Sequence, residues 1–172
     1  MQWRKTGTAW VFGDNISNDD GIMSLKFVRE QEYRPEVLAH HIFEQIDPTL
    51  PSKIKVGDFI VAGRNFGFGN PHVQGFLGLK GAGVSIIAES VLRGPLRTCI
   101  NAGVPILSPV SGIRGLVESG DELEVDFIEG LIINLTTQKE LKTDPIPEIM
   151  REIVEAGSGM DFMFRRAGIV NT

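Results

Sequence analysis

Val56-Gly-Asp-Phe-Ile-Val-Ala-Gly-Arg-Asn-Phe-Gly-Phe-Gly-Asn70 is the stretch that decides the fold. Its first half is a run of apolar, mostly β-branched and aromatic residues that suits a buried strand. The run passes without a spacer into the glycines 63, 67 and 69. His72–Lys80 follows and reads as a helix despite its internal glycines, each of which costs about 1 kcal/mol. Small residues there let the helix pack closely on a sheet. Glycines in the corner permit positive φ and bring main-chain N–H groups near a ligand. A helix starting near Pro71 adds its unpaired N–H groups and the positive end of its dipole. The corner therefore reads either as a seat for a carboxylate or phosphate or as a tight structural turn. Arg64, Asn65, Asn70 and His72 can supply side-chain donors. Gly67 and Gly69 lack the third glycine of the dinucleotide fingerprint.

Working outward, Thr8–Phe12 reads as a strand ending in the turn Gly13-Asp14. Asn15–Asp20 concentrates side chains that bond their own backbone, so it reads as a loop. Pro35–Ile46 is predicted helical, with Val37, Leu38, His41, Ile42 and Gln45 on one face and Asp47-Pro48 as its stop. Pro48–Ser52 is a connector. On the other side, Val84–Ala88 is a buried strand and Ser90 is placed to cap a helix running to about Asn101, closed by Gly103 and interrupted at Gly94-Pro95. Val104–Leu107 is a short strand. Glu122–Ile128 alternates with a period of two, turns at Glu129-Gly130 and returns through Leu131–Thr136 as a hairpin. Pro147–Glu155 is an amphipathic helix with Ile149, Met150, Ile153 and Val154 toward the core. Gly157–Arg166 reads as a hinge and a docked terminus. Alternating strands and helices followed by a hairpin specify a layered α/β fold with parallel and antiparallel strands, as one domain over residues 1–172.

The chain has 172 residues, 42% of them hydrophobic and 23% charged, which is a globular balance. Seventeen Lys and Arg against 22 Asp and Glu give a formal charge of −5. Such a charge leaves no electrostatic footprint for nucleic acid or an anionic membrane. No run approaches the ~20 apolar residues of a membrane span, and no signal peptide is visible behind Met1, so the expected address is cytoplasmic. Cys99 is the single cysteine. It cannot form an internal disulfide, and it cannot alone hold an iron–sulfur cluster, which needs several thiolates. The histidines, two of them adjacent, have no zinc spacing. Arg93 and Arg97 share a helix face and read as solvated residues or as a carboxylate clamp.

These pieces together resemble the small subunit of 3-isopropylmalate dehydratase, which corresponds to the swivelling C-terminal domain of aconitase. The family loop Gly-Asp-x-Ile-Asp-Thr-Asp is matched by Gly13-Asp-Asn-Ile-Ser-Asn-Asp19, and its Gly-Asp-Ile-x-Val-Ala-Gly-x-Asn-Phe-Gly by Gly57–Gly67. Its Ser-Phe-x-Arg and Asn-x-Gly-x-Pro segments are matched by Ser90–Arg93 and Asn101–Pro105. The resemblance implies a compact β/β/α swivelling domain, cytoplasmic, in leucine biosynthesis. It implies a hydro-lyase that is inactive alone. A large partner subunit would carry a 4Fe–4S cluster, with no cofactor or metal in this chain. This subunit would close over a hydroxy-di- or tricarboxylate, and a homo-oligomer in isolation stays open.

The match departs at the centre of the site. Where the family has Gly-Ser-Ser-Arg-Glu-His, this chain has Gly69-Asn-Pro-His-Val-Gln74. Asn70 stands at the proton-abstracting serine, Pro71 at the next serine and His72 at the substrate-clamping arginine. Of the Asp-Thr-Asp loop only Asp19 remains, with Ser17 and Asn18 before it. An imidazole, ordinarily titrating near ~6.5, suits proton transfer, whereas an asparagine does not. The resemblance thus nominates His72, Asn70 and Asp19 as catalytic. Arg29, Arg64, Asn65, Gly67, Gly69 and Arg93 are nominated for substrate binding, with Arg29 reading the variable part of the substrate. Three readings compete. One is a divergent dehydratase using His72. Another is a non-catalytic or regulatory carboxylate-binding small subunit that has lost the serine base. The last is a stand-alone anion-binding module.

Overall fold

The structure is a computed structural model and describes residues 1–169. In chain order the elements are β1 (Arg4–Val11), α1 (Leu25–Arg29), α2 (Pro35–Leu38), a 3-10 turn (Ala39–His41), α3 (Leu50–Lys53), β2 (Phe59–Ala62), α4 (Gln74–Ala82), β3 (Ser85–Ala88), α5 (Arg93–Ala102), β4 (Ile106–Leu107), α6 (Ile113–Leu116), β5 (Glu122–Asp126), β6 (Leu131–Asn134), β7 (Lys139–Lys142), α7 (Glu148–Ala156) and α8 (Gly159–Arg166). The strands form one sheet in the order β4-β3-β2-β1-β5-β6-β7. From β4 to β1 it is parallel, and from β1 to β7 antiparallel. This is the mixed α/β architecture that the sequence predicts.

β1 is the seam. Its first five residues pair with β5, and Ala9–Val11 pair with β2. At the change of partner the chain needs another acceptor, and the Asp58 carboxylate supplies it. Asp58 is 5% exposed and accepts from Thr8 N (3.1 Å), Trp10 Nε1 (2.8 Å) and Lys55 N (2.8 Å). A buried carboxylate is tolerated when it is hydrogen-bonded in this way. Every residue of β2 and β3 is buried, as expected of parallel strands covered on both faces. β4 has two residues, and β7 (Lys-Glu-Leu-Lys) carries charge, so both sheet edges are poor templates for further pairing.

Several local expectations are corrected. The helix predicted over Pro35–Ile46 stops at Leu38 and runs on only as the 3-10 turn. Phe43 then turns to φ +59° so that its N–H donates to Ile22 O (2.8 Å) while its ring stacks on Phe12. Ser90 does not cap α5, whose N-cap is Leu92. Gly94-Pro95 leaves α5 unbroken because it lies in the first turn, where a missing N–H costs nothing. Pro48–Ser52 overlaps the one-turn helix α3, and Gly157–Arg166 contains the helix α8, capped by Ser158. Ile149 is 46% exposed rather than core. β7 escaped the pattern because its exposed edge needs little apolar alternation.

The glycines of α4 fit closely, but against a different neighbour from the predicted sheet. Gly75, Gly78 and Gly81 line one face, set against Asn18, Met23 with Ile42, and the Pro35 carbonyl respectively. α2 and the 18–23 loop therefore lie directly on the α4 backbone. Lys80 Nζ donates to Gly157 O (2.6 Å), tying α4 to the turn between α7 and α8. Among the described residues no helix is long and apolar enough to cross a membrane.

A methyl group at Gly81 would strike the Pro35 main chain, whereas one at Gly94 meets nothing within 4 Å. Gly81→Ala is expected to lower unfolding free energy by about 1–3 kcal/mol in urea titrations, overriding the helix-propensity gain. Gly94→Ala is expected to be neutral or stabilising by up to about 1 kcal/mol. Equal stabilities for the two variants would contradict this packing.

Candidate functional site

β1 to β4 deliver four loops to one edge of the parallel half, the carboxyl edge at which open α/β sheets hold ligands. The loops after β1 and β2 run side by side and continue their parallel pairing past the strand ends. Gly63 N donates to Gly13 O (3.2 Å), Asn15 N to Arg64 O (2.7 Å), Gly67 N to Ile16 O (2.7 Å) and Asn18 N to Phe68 O (2.8 Å). The loop after β3 closes on the same corner. Ser90 Oγ accepts from Asn65 N (3.0 Å) and Ser90 O from Phe66 N (3.1 Å), while Asp14 Oδ1 accepts from Arg64 N (2.8 Å).

This bonding corrects one expectation. The N–H groups of residues 63–67 do not face a ligand, because each already has an acceptor within the chain. Asn65, at φ +57°, also donates its side-chain amide to Asn15 Oδ1 (2.9 Å). Gly67, at φ +73°, lies close against the Phe76 ring, where a Cβ would meet Cζ at 3.0 Å in a backbone conformation that favours glycine. Both shape the corner. The accessible part begins after Phe68, where Gly69 (φ +106°), Asn70 and Pro71 are exposed and Gly69 faces open space. α4 starts at Gln74 rather than near Pro71, so residues 69–73 form a short arch leading into its first turn.

Across that arch lies Asp19. Its carboxylate accepts from His72 Nδ1 (2.9 Å to Oδ1 and 3.0 Å to Oδ2) and from Asn70 Nδ2 (3.2 Å to Oδ2). The side chains of His72 and Asp19 are 35% and 15% exposed. An ionised carboxylate only accepts, so Nδ1 carries a proton toward it; in the neutral ring Nε2 is then an acceptor, with no partner among the described residues. A histidine oriented by a carboxylate, with its far nitrogen free, is equipped to take a proton from a ligand. Three residues from two segments more than fifty positions apart in the chain thus meet at one point.

The remaining nominated residues do not converge on that pair. Arg64 is exposed, its Nε 3.9 Å from Glu89 Oε2. Arg29 is exposed on α1, without a hydrogen-bond or ion-pair partner among the described residues. Arg93 opens α5 and lines, with Leu96, Arg97 and Ile153, a groove between α5 and α7. Sequence reasoning passed over Arg114, whose Nη1 lies 3.2 Å from Asp14 Oδ1 at the rim, and gave Ser90 the wrong task. A serine two residues past the end of a parallel strand and opposite a glycine corner is the available signal for Ser90.

No group of three or more His, Cys, Asp or Glu side chains placed to hold a metal ion occurs among the described residues. Cys99 is fully buried, and burial pushes its thiol well above the ordinary range. These donors do not fit an iron–sulfur cluster. Cys99 is therefore expected to resist iodoacetamide at pH 8 in the folded chain and to react once the chain is unfolded in urea, as followed by mass spectrometry. Ready alkylation of the folded chain would contradict its burial.

Comparison with known proteins adds a second line of observation. No protein-family model matches the chain. It is 43% identical over 161 residues to the isopropylmalate/citramalate isomerase small subunit of Methanocaldococcus jannaschii, covering 93% of this chain and 94% of that one. It is 41% identical to the 3-isopropylmalate dehydratase small subunit 2 of Archaeoglobus fulgidus, covering 96% and 98%. The crystal structure of 3-isopropylmalate dehydratase from Methanocaldococcus jannaschii superposes with a TM-score of 0.86 at 31% identity, over 96% of both chains.

Proposed function

The chain belongs to the 3-isopropylmalate dehydratase small-subunit family, and from that premise we propose that it closes over a hydroxy-dicarboxylate and moves the carbon-bound proton with His72. The family is that of the small subunit of a heteromeric aconitase-type hydro-lyase. The partner in this reading is a large subunit bearing a 4Fe–4S cluster, and the complex is cytoplasmic. The cluster supplies a Lewis acid for the departing hydroxyl.

In this chain's share of the reaction, His72 Nε2 accepts the proton from carbon. The electron pair of that C–H bond becomes the new C=C bond as hydroxide leaves the neighbouring carbon. Asp19 keeps the proton on Nδ1 and stabilises the imidazolium that forms. Asn70 gives one amide hydrogen to Asp19 and keeps its second hydrogen for the substrate carboxylate. Arg64, Arg93 and Arg29 are the cations proposed to face the substrate in the closed complex. The malate skeletons in a relative's name, isopropylmalate and citramalate, support an alkyl-substituted hydroxy-dicarboxylate as the substrate class.

The observation that supports this reading is the hydrogen bond between Asp19, the residue kept from the family loop, and His72, which stands where the family pattern has its arginine. The reconstituted complex with His72→Ala is expected to lose about 10²–10⁴ in kcat with a smaller change in KM. Asp19→Asn, which keeps shape but no longer fixes the Nδ1 proton, is expected to lose at least about 10² in kcat. Full kcat in His72→Ala would remove the acid–base assignment and favour a subunit that only binds carboxylate.

A further inference from the structure

We infer that Asn18 is a positioning residue that holds the 70–72 arch so that the His72 ring meets Asp19. The Asn18 side chain is 2% exposed and gives its Nδ2 hydrogens to two carbonyls of the arch, Asn70 O at 3.0 Å and His72 O at 2.6 Å. Its own backbone is fixed in turn. Asn18 N donates to Phe68 O (2.8 Å), and Asn18 O accepts from Met23 N (3.1 Å). Consecutive residues thus grip the same arch twice. Asn18 takes the main chain of residues 70 and 72, and Asp19 takes their side chains.

The remaining atom of Asn18 argues for a constrained role. Oδ1 is buried without a hydrogen-bond partner and points at Gly75 in the first turn of α4, where any Cβ would strike it. A buried unpaired acceptor is unfavourable, yet turning the amide over would set Oδ1 against two carbonyl oxygens. The orientation is fixed by the arch, and the unmade bond persists because two donors are needed on one side. A serine or threonine has a single O–H to give and can hold only one of the two carbonyls. Pro71, between the gripped residues, contributes no N–H of its own. Gly75 completes the device by leaving room for the amide.

The consequence for turnover rests on the assignment of His72 as the base, whereas the geometric claim does not. The test is therefore read from the ring itself, by 15N NMR of the full-length chain labelled at histidine, above the pH at which the ring titrates. The wild type is expected to show His72 with its proton on Nδ1. Asn18→Ala is expected to return His72 toward the ordinary imidazole mixture, rich in the Nε2–H form, while amide signals of β1–β4 keep their positions. Gly75→Ala, which pushes on Asn18 Oδ1 without touching the arch, is expected to do the same. Asn18→Ser, retaining one donor, is expected to fall between and covers the case in which the alanine variant fails to fold. In the reconstituted complex Asn18→Ala is expected to lose about 10–100-fold in kcat with KM within about twofold. An unchanged Nδ1–H form in either folded Asn18 variant, or in Gly75→Ala, overturns the inference. If the ring responds as expected while His72→Ala keeps full activity, positioning stands and the base assignment fails.

Discussion

The pairing between the loops after β1 and β2 is the interaction on which the site depends. Parallel strands normally part at their carboxyl ends, where their N–H and C=O groups turn to water or ligand. Here the partnership continues through Gly63 N–Gly13 O, Asn15 N–Arg64 O, Gly67 N–Ile16 O and Asn18 N–Phe68 O, so the first loop is carried outward as far as Asp19. Ser90 and Asp14 take the N–H groups left between these bonds. A tightly bonded corner results, and the accessible side chains lie beyond it, at Asn70 and His72.

The sequence revealed the fold more readily than the site. Phe59–Ala62 and Ser85–Ala88 were legible because strands buried on both faces are apolar throughout, and the β5–β6 hairpin because it alternates. α2 was overextended because its end is set by a long-range bond, Phe43 N to Ile22 O, that no local pattern encodes. The glycine corner was misjudged for the same reason. Gly63–Gly67 look like an open anion seat until one sees which distant residues accept from their N–H groups. Asp19, Asn70 and His72 were nominated by alignment of motifs, but their meeting was not readable, since it depends on register between loops about fifty residues apart. Asn18 stands out in the sequence only as a changed position of the family loop, and its hold on the 70–72 main chain is visible only in the fold.

The departures from the family pattern are coherent once seen together. Replacing a serine by Asn70 removes a proton acceptor. In the proposed reading His72 takes over that task two residues further on, with Asp19 in place to orient its ring. Asn18 then secures the main chain that carries both. Four residues from two segments of the chain thereby form one hydrogen-bonded unit at an accessible edge, while the chain's only thiol is sealed in the core. That division suits the proposed role, in which this subunit binds and moves a proton and its partner holds the cluster.

The central claim is that this unit handles the carbon-bound proton, and hydrogen exchange at the substrate tests it most directly. The reconstituted complex, incubated in D2O with an alkyl-substituted hydroxy-dicarboxylate at equilibrium, is predicted to replace the abstracted hydrogen by deuterium. The same complex with Asp19→Asn or His72→Ala is predicted to bind the compound but to exchange at least about 10²-fold more slowly. Exchange at the wild-type rate in both variants would contradict the account.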